Sequence, residues 1–523
     1  MFWIFGGGWA LVRVWQRQSG IWGLSCDGNS VRLQGDSFEF GWYDGVHLAN
    51  KHNVVIVAAN YRVGPFGFLA LDELRREDSH NSTGNMGLLD QRAALQWTRD
   101  NVQYFGGNPD NVTIFGESAG GFSVCWHLAS PGSAGLFSGA IMESGSCDSP
   151  QFFQSYEYAT DFGKTWAQAV GCGNTTGASL LSCMRSMDTN HMMKSVADWW
   201  NPEWPFTAAH SQRDAQGHGA QRGQAAHSTI ASLMLQSGGG PSQLRGGGGQ
   251  HPRRLQQARR LAAHALLPAL APIMPWGAAI DGTDTALPDV PLRMIQAGRF
   301  NRVPTIFGTN QNEGSIFVPL LPLVAKGATF PPNNASIQLA LHRMFNMYNA
   351  SRLQSAIPRM LAAYPLSAYA GDQWARTSAM ITHFFFRCGV RRSARAIVQS
   401  TGAPPLWLYH FNYKLDWLEG PVLGDYHTSE LSFVWDNQWP PLLHDFTDAD
   451  QEMSNAFTLF WTNLARGGSP NSAAVPLQWP EYTFPSGNQA DSNLNLQLPL
   501  NTQTGLDRDI CDFWDGIKAE LEA

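Results

Sequence analysis

A single serine between two glycines is the residue with the clearest chemical potential. Ser118 lies within Gly116-Glu-Ser-Ala-Gly120, directly after the apolar run from Val112 to Phe115. Glycines at this spacing permit a tight turn from a strand into a helix, because side chains at those two positions would clash. Such a turn lifts the serine hydroxyl clear of the sheet. The pattern predicts a nucleophile, although the same five letters also arise by chance in a chain rich in glycine and serine.

A serine nucleophile needs a base within hydrogen-bond reach and an acid that orients the base. In open α/β sheets ligands bind beyond the carboxyl ends of the strands, so acids and histidines just after strands are the candidates. Glu313 follows a predicted strand over 303–308, and His427 follows one over 406–413. The order Ser, Glu, His is the one that the α/β-hydrolase fold uses.

Three successive glycines, Gly6 to Gly8, follow the short strand predicted over 2–5. Uncovered backbone N–H groups are what an oxyanion hole requires, since they can approach a tetrahedral oxyanion closely. A flexible glycine loop is the alternative interpretation, and the residues alone leave both open. His127, on the helix after Ser118, and His410, within a strand, are expected to be packing or surface residues.

The elements that would position these residues alternate between strands and helices. Continuous apolar runs at 53–59, 112–115, 139–143 and 303–308 predict parallel strands buried on both faces. The run at 406–413 looks like the last strand, and helices are predicted over 87–102, 447–466 and 509–521. The alternation implies right-handed βαβ units and an α/β fold whose central, mostly parallel sheet is flanked by helices.

Composition excludes several classes of function. The chain has 523 residues, 43% apolar and 15% charged, with a net charge of -7. That length accommodates one large α/β domain with insertions, and the acidic balance argues against nucleic acid as the partner. The only window of membrane-helix length, 261–280, contains three prolines, so we reject a transmembrane segment. The first residues have no basic region and do not read as a signal peptide.

Two segments depart from the rest of the chain. The stretch 11–34 shows neither a strand alternation nor a helical stripe, and we interpret it as a surface insertion. The stretch 208–268 is rich in arginine and glycine and poor in apolar residues, which predicts a disordered insertion. Its five histidines are scattered without a ligand spacing, so no metal site is expected there.

Cysteines and sequons favour an oxidising compartment. Seven cysteines are few for a disulfide scaffold, and five Asn-X-Ser/Thr sequons fit a secretory history. The sequons begin at Asn81, Asn111, Asn174, Asn334 and Asn349. Each is weak evidence alone, but together with the cysteines they predict a secreted or secretory-pathway glycoprotein.

Four stretches together resemble the type-B carboxylesterase and cholinesterase family, and the second is highly specific. They are NVVIVAANYRVGPFGFL, GNMGLLDQRAALQWTRDNVQYFGGNPDNVTIFGESAGG, GTNQNEGSIF and GDYHTSELSFVW. The resemblance covers most of the chain outside the two unusual segments. It implies one domain over 1–523 with the α/β-hydrolase fold, lacking the N-terminal strands of the family. It also implies a small-molecule carboxylic ester as substrate, with no cofactor and no metal.

The same resemblance assigns roles to individual residues. Ser118 would be the nucleophile, Glu313 the acid, and His427 the general base and then acid. The oxyanion N–H groups would come from Gly7, Gly8 and Ala119. The implied disulfides are Cys172 with Cys183 and Cys388 with Cys511.

Two other interpretations remain at this point. The fold also serves as a non-catalytic adhesion module, but those relatives commonly lack a member of the triad, whereas all three residues are present here. A truncated, inactive product is the third interpretation, because missing strands would leave unpaired backbone groups at one side of the sheet. The oligomeric state, the identity of the ester and the acceptance of choline esters are left open by the sequence.

Overall fold

The computed structural model describes most of the chain. The residues described are 1–8, 26–27, 30–32, 43–149, 152–173, 175–189, 191–192, 276–324, 328–345, 348–415, 423–437, 445–484 and 491–523. For 26–27 and 30–32 only the backbone is described. The stretch 208–268, predicted to be a disordered insertion, lies outside the described residues, and its interpretation stays a prediction.

Ten of the twelve described strands form one sheet, in the order β12-β11-β10-β9-β6-β5-β1-β4-β3-β2. All neighbours pair in parallel except β11 with β12 and β2 with β3. β7 and β8 form a separate parallel pair. The strands are β1 Phe2–Ile4, β2 Cys26–Asp27, β3 Ser30–Arg32, β4 Ile56–Ala58, β5 Thr113–Glu117, β6 Gly139–Glu143, β7 Phe153–Ser155, β8 Ala278–Ile280, β9 Thr305–Asn310, β10 Leu406–Phe411, β11 Asn493–Leu496 and β12 Asn501–Gln503.

Helices cover both faces of the sheet. They are α1 Val46–His52, α2 Gly64–Phe68, α3 Asp72–Glu77, α4 Met86–Asn101, α5 Ala119–Ala129, α6 Tyr156–Ala169, α7 Gly177–Arg185, α8 Pro291–Gln296, α9 Leu321–Val324, α10 Asn334–Met344, α11 Ala350–Ala362, α12 Gln373–Ile381, α13 Cys388–Val398, α14 Leu431–Val434, α15 Asp448–Gly467 and α16 Arg508–Glu522. A π-helical turn over Thr382–Arg387 joins α12 to α13, and a 3₁₀ turn over Glu313–Ile316 follows β9.

The central strands are fully buried, as their continuous apolar sequence predicts. β5 lies between β1 and β6, and Glu117 at its end is in register with Glu143 at the end of β6. β6 then pairs with β9, and β9 with β10. Because these strands are parallel, Ser118 and the residues after β9 and β10 emerge at the same edge.

The predicted fold class is confirmed: the central sheet is mostly parallel and flanked by helices. The prediction that 406–413 holds the last strand is wrong, since β11 and β12 follow it. The alternation of leucine with asparagine in β11 was a strand signal that the prediction overlooked, whereas the three polar residues of β12 show no such alternation.

The stretch 11–34 also contains more regular structure than its sequence predicted. β3 pairs in parallel with β4, and β2 pairs with β3, so this segment extends the sheet beyond β4. Elements of two and three residues are too short to give a periodic signal. The rest of the stretch lies outside the described residues, and its interpretation as an insertion stays a prediction.

Three disulfides join described cysteines. Cys172 bonds to Cys183 and Cys388 to Cys511, the two pairs that the family resemblance implies. A third bond, Cys125 to Cys147, links α5 to the loop after β6 and was not foreseen.

None of the described helices combines the length and the apolar character needed to cross a membrane.

Candidate active site

Ser118 sits on a strained turn between β5 and α5. Its φ of 56° and ψ of -123° lie outside the conformations that residues with side chains prefer. Its N–H donates to the Glu143 carbonyl at 2.9 Å, and its carbonyl accepts from Phe122 N–H in the first turn of α5. This is the strand-to-helix turn that the glycine spacing predicted. The side chain is partly exposed, whereas residues on either side are buried.

The glycines around Ser118 are required because neighbouring backbone leaves no room for a Cβ. A Cβ on Gly120 would lie 1.9 Å from the carbonyl oxygen of Ile4, and one on Gly116 would lie 2.6 Å from the same atom. Gly6 is equally constrained, since its Cβ would approach the Glu117 carbonyl oxygen to 2.6 Å and Ser118 Cβ to 3.1 Å. The N-terminal glycine segment therefore packs directly against the nucleophile turn.

Glu313 and His427 meet next to this turn, although 114 residues separate them. His427 Nδ1 lies 2.6 Å from Glu313 Oε2. Glu313 Oε1 accepts two further hydrogen bonds, from Ser144 Oγ at 2.5 Å and from Asn310 N–H at 2.7 Å. Because donors occupy both carboxyl oxygens, we assign the proton of the short bond to Nδ1, which leaves Nε2 as the acceptor nitrogen.

The Nε2 atom of His427 faces the side chain of Glu117. It lies 3.1 Å from Glu117 Oε1, the side chain that immediately precedes Ser118. The alignment of this contact is not that of a hydrogen bond, and Nε2 has no hydrogen-bond partner among the described residues. No hydrogen bond from a described residue therefore occupies the acceptor nitrogen of the imidazole, as a general base for a serine hydroxyl requires.

Two phenylalanines cover the imidazole of His427. The ring centroid of Phe317 lies 5.2 Å from that of His427, and the centroid of Phe386 lies 4.7 Å from it. The imidazole is only 2% exposed. The two aromatic rings shield the imidazole from water.

Three further glutamates lie beside the site, and we call Glu117, Glu143 and Glu430 the carboxyl cluster. All are buried, and each has one carboxyl oxygen without a hydrogen-bond partner in the described part of the chain. Glu143 accepts from Trp461 Nε1 at 2.8 Å, and Glu430 accepts from Asn310 Nδ2.

Burial sets the protonation of the carboxyl cluster. It raises the pKa of Glu143 to about 8, although the hydrogen bond from Trp461 acts in the opposite direction. Burial, reinforced by the nearby carboxyl of Glu430, also raises the pKa of Glu117 well above its usual value. The pKa of Glu430 is raised by burial and by the Glu313 carboxyl. These raised pKa values favour the neutral form of each carboxyl beside the imidazole.

The predicted oxyanion donors occupy suitable places in the backbone. Gly7 and Gly8 have φ values of 107° and 63°, conformations that favour glycine. Ala119 is the first residue of α5, where helix N–H groups lack intrahelical partners. The role of these three N–H groups stays a prediction.

The other histidines singled out from the sequence lie away from the triad. His127 is buried between Ser133 Oγ and Gln91 Oε1, at 2.9 and 3.2 Å. His410 is buried on β10 and contacts Gln311 Oε1 and Gln503 Nε2 at 2.7 and 2.9 Å. In both side chains the two ring nitrogens are taken up by these hydrogen bonds.

Comparison with known proteins places this site in a family. A model of the carboxylesterase family matches residues 30–215 and 251–514, which is most of the chain. The chain belongs to the carboxylesterase family. The match includes Ser118, Glu313 and His427, and the mostly parallel sheet with flanking helices is the α/β-hydrolase architecture of that family.

Three named relatives are similar to this chain at nearly the same level of sequence identity. Liver carboxylesterase 1 of Mus musculus is 29% identical over 535 residues, covering 100% of this chain and 74% of the relative. Acetylcholinesterase of Electrophorus electricus is 28% identical over 518 residues, covering 92% and 69%. Para-nitrobenzyl esterase of Bacillus subtilis (strain 168) is 28% identical over 467 residues, covering 86% and 73%. As a member of this family, the chain is a carboxylic ester hydrolase.

Sequence reasoning missed two groups that this carboxylesterase places against its candidate triad. Ser144 Oγ donates to Glu313, and the Glu143 carbonyl accepts from Ser118 N–H. Both residues stand at the end of β6, where Ser144 has a φ of 50°. The polar Glu-Ser-Gly sequence that ends a buried strand was the available signal, because side chains there reach the carboxyl edge of the sheet.

Proposed function

We propose that this chain hydrolyses carboxylic esters through an acyl-enzyme, with Ser118 as nucleophile, His427 as base and Glu313 as orienting acid. The observation that carries the proposal is the 2.6 Å contact between His427 Nδ1 and Glu313 Oε2 beside the Ser118 turn. With Nδ1 bound to the acid, Nε2 is the ring nitrogen left to act on Ser118, and it lies 3.1 Å from Glu117, the residue before that serine.

The chemistry follows from these positions. Ser118 Oγ attacks the ester carbonyl carbon while its proton passes to His427 Nε2. The imidazolium, stabilised by Glu313, then gives that proton to the departing alcohol, and an acyl-serine remains. Water attacks the acyl carbon with the same base, which releases the carboxylic acid and restores the serine.

The negative charge on the carbonyl oxygen needs fixed donors. We assign these to the N–H groups of Gly7, Gly8 and Ala119, each worth about 3 kcal/mol of transition-state stabilisation. Positive φ at both glycines and the helix N-terminus at Ala119 support the assignment. No cofactor or metal enters this mechanism, and the substrate is a small-molecule ester.

A covalent probe tests the mechanism. A fluorophosphonate should label the folded full-length chain at Ser118, as located by peptide mass spectrometry, and Ser118→Ala should not be labelled. Ser123→Ala is a matched control, because this serine lies on α5 one turn further on and its hydroxyl donates to the Ala119 carbonyl. Folded wild-type protein that resists labelling would refute the enzyme and favour the non-catalytic adhesion module or the inactive product.

We also propose that the protein is a glycoprotein of the secretory pathway. Three disulfides join described cysteines, and the asparagines of four sequons, Asn81, Asn111, Asn334 and Asn349, are exposed. The sequon at Asn174 lies outside the described residues. Chain produced in a secretory host should lose mass on endoglycosidase treatment, and an unchanged mass would contradict the proposal.

A further inference from the structure

The π-helical turn Thr382–Arg387, hereafter the π turn, contacts both the loop that carries Glu313 and the ring of His427. Gly314 N–H, next to Glu313, donates to Thr382 Oγ1 at 2.9 Å. Arg387 Nη2 donates to the Asn310 carbonyl at 2.7 Å. Phe386 packs on the His427 ring. One short segment thus touches the chain on both sides of Glu313 and the base itself.

The π geometry explains how one turn makes both polar contacts. In an α-helix, residues i and i+4 share a face and i and i+5 diverge. In a π turn, hydrogen bonds run from i to i+5, so residues five apart lie one above the other. The N–H of Cys388 donates to the His383 carbonyl, five residues back. Thr382 and Arg387 are also five apart, and the π turn directs both toward the Glu313 loop.

Arg387 is held in place from its other side. Its side chain is only 6% exposed and forms an ion pair with Asp507, just before α16. Asp507 also contacts His383 Nε2 at 3.2 Å. Since the guanidinium is planar and its donors are fixed, anchoring one edge on Asp507 orients the edge that meets Asn310.

Asn310 transmits this contact to the acid. Its carbonyl accepts from Arg387, while its own N–H donates to Glu313 Oε1 at 2.7 Å. Gly314 is packed tightly as well, since a Cβ there would lie 2.1 Å from the Ser378 carbonyl oxygen at the end of α12. The loop that carries Glu313 is therefore fixed at residues 310 and 314 by the same neighbouring segment.

We propose that the π turn, through Thr382 and Arg387, is the positioning element that fixes the Glu313 carboxylate against His427. The inference rests on the proposed function, because it assumes that this pair orients the base for Ser118. Thr382 and Arg387 are positioning residues: they touch the Glu313 loop and neither the serine nor the imidazole. Their loss should lower kcat and leave KM nearly unchanged, because misplacing the base weakens the chemical step and not substrate binding.

The threonine offers the cleanest test. Thr382→Val removes the acceptor for Gly314 N–H, and Thr382→Ser retains it. Thr377→Val is the matched control, since Thr377 is also buried and donates to the carbonyl four residues back, as Thr382 does, at 2.6 and 2.9 Å. With a p-nitrophenyl ester, Thr382→Val should lower kcat about tenfold. Thr382→Ser should restore it, and Thr377→Val should match the wild type.

The arginine gives a second and larger effect. Arg387→Met should lower kcat on the order of 100-fold and displace the most downfield exchangeable proton in the NMR spectrum, which we assign to the Nδ1 to Oε2 bond. Arg391→Met is its control: Arg391 is 4% exposed and pairs with Asp512 and Asp515 of α16, away from the Glu313 loop. If Arg387→Met does not fold, the threonine variants decide alone.

Turnover and labelling of the wild type test the proposed function, whereas the kcat values of the threonine variants test the positioning role. A folded wild type without turnover or labelling means that the proposed function fails. An active wild type in which Thr382→Val and Thr377→Val have equal kcat overturns the positioning role and leaves the esterase assignment intact. A kcat loss at Thr382→Val that Thr382→Ser does not restore also overturns it.

Discussion

The two halves of the candidate site are built in different ways. The nucleophile half depends on residues close in sequence. Ser118 stands between Gly116 and Gly120, where a Cβ would lie 2.6 and 1.9 Å from the Ile4 carbonyl oxygen, well below van der Waals distance. The acid–base half is assembled from distant segments, with Glu313 held by Asn310, Ser144 and the π turn. A short motif can specify the first half, whereas only the whole fold can specify the second.

One added methyl group at either of these glycines should therefore lower the free energy of unfolding strongly. Gly120→Ala would place a Cβ 1.9 Å from the Ile4 carbonyl oxygen, and neither backbone segment can move without disturbing β1 or α5. We expect a loss of about 3 kcal/mol or more in the free energy of unfolding, with little soluble protein. The measurement is chemical denaturation of purified protein together with soluble yield.

The control for that substitution is Gly516→Ala. Gly516 lies on the exposed face of α16, and, apart from its chain neighbours and the nearby backbone of the same helix, no described atom lies within 4 Å of the position that a Cβ would occupy there. Alanine is a better helix former than glycine, so this variant should gain about 0.5 to 1 kcal/mol. Equal behaviour of the two variants would show that the turn at Ser118 tolerates a side chain, and the contrast between the halves would fail.

Much of the fold could be predicted from the sequence because the central strands are buried on both faces. The run at 139–143 predicted β6 with its observed bounds, and the run at 303–308 placed β9 within two residues. The alternating leucines of β11 carried a strand signal that the prediction overlooked, but β12 has three polar residues and no hydrophobic pattern, so it could not be predicted.

The site divides along the same line. The glycine spacing predicted the turn at Ser118. Glu313 and His427 were predicted as acid and base because each follows a predicted strand. The contacts of Ser144, Thr382 and Arg387 could not be predicted, because a buried hydroxyl or guanidinium acquires its partner from the packing of distant elements. The Cys125–Cys147 bond was missed for the same reason.

The carboxyl cluster lies where the two halves meet, and its protonation can be tested through stability. Burial raises the pKa of Glu143 from 4.5 to about 8. Between these values the folded chain keeps a proton that the unfolded chain loses, so the free energy of unfolding falls as pH rises through this window. Glu143→Gln keeps an acceptor for Trp461 and removes the ionisation. It should stabilise the protein by roughly 3 kcal/mol at pH 7.

The pH dependence distinguishes this effect from a general gain in stability. The advantage of Glu143→Gln should vanish near the unfolded value, pH 4.5, and reach its maximum as the pH approaches about 8. Glu452→Gln, at an exposed position of α15, should follow the wild type throughout. Denaturation curves at several pH values provide the measurement, and a pH-independent difference between Glu143→Gln and wild type would contradict the raised pKa.

The smallest expected effect concerns the residue that joins the two halves. Ser144 follows the strand whose Glu143 carbonyl accepts from Ser118 N–H, and its own hydroxyl donates to Glu313 Oε1 at 2.5 Å. Ser144→Ala removes one of three hydrogen bonds to that carboxylate and leaves those from Asn310 and His427 in place. Loss of one buried partner costs about 1 to 3 kcal/mol, so kcat should fall about tenfold with KM unchanged.

The comparison for Ser144 is a serine of equal burial two residues further along the chain. Ser146 Oγ is hydrogen-bonded to the backbone of Asp148, at 3.4 Å, and Ser146→Ala should retain the kcat of the wild type. If Ser144→Ala also retained it, the bonds from Asn310 and His427 would suffice to orient Glu313. The acid would then depend on the β9 loop and the π turn alone, and the two halves of the site would be mechanically independent although their strands β6 and β9 are paired.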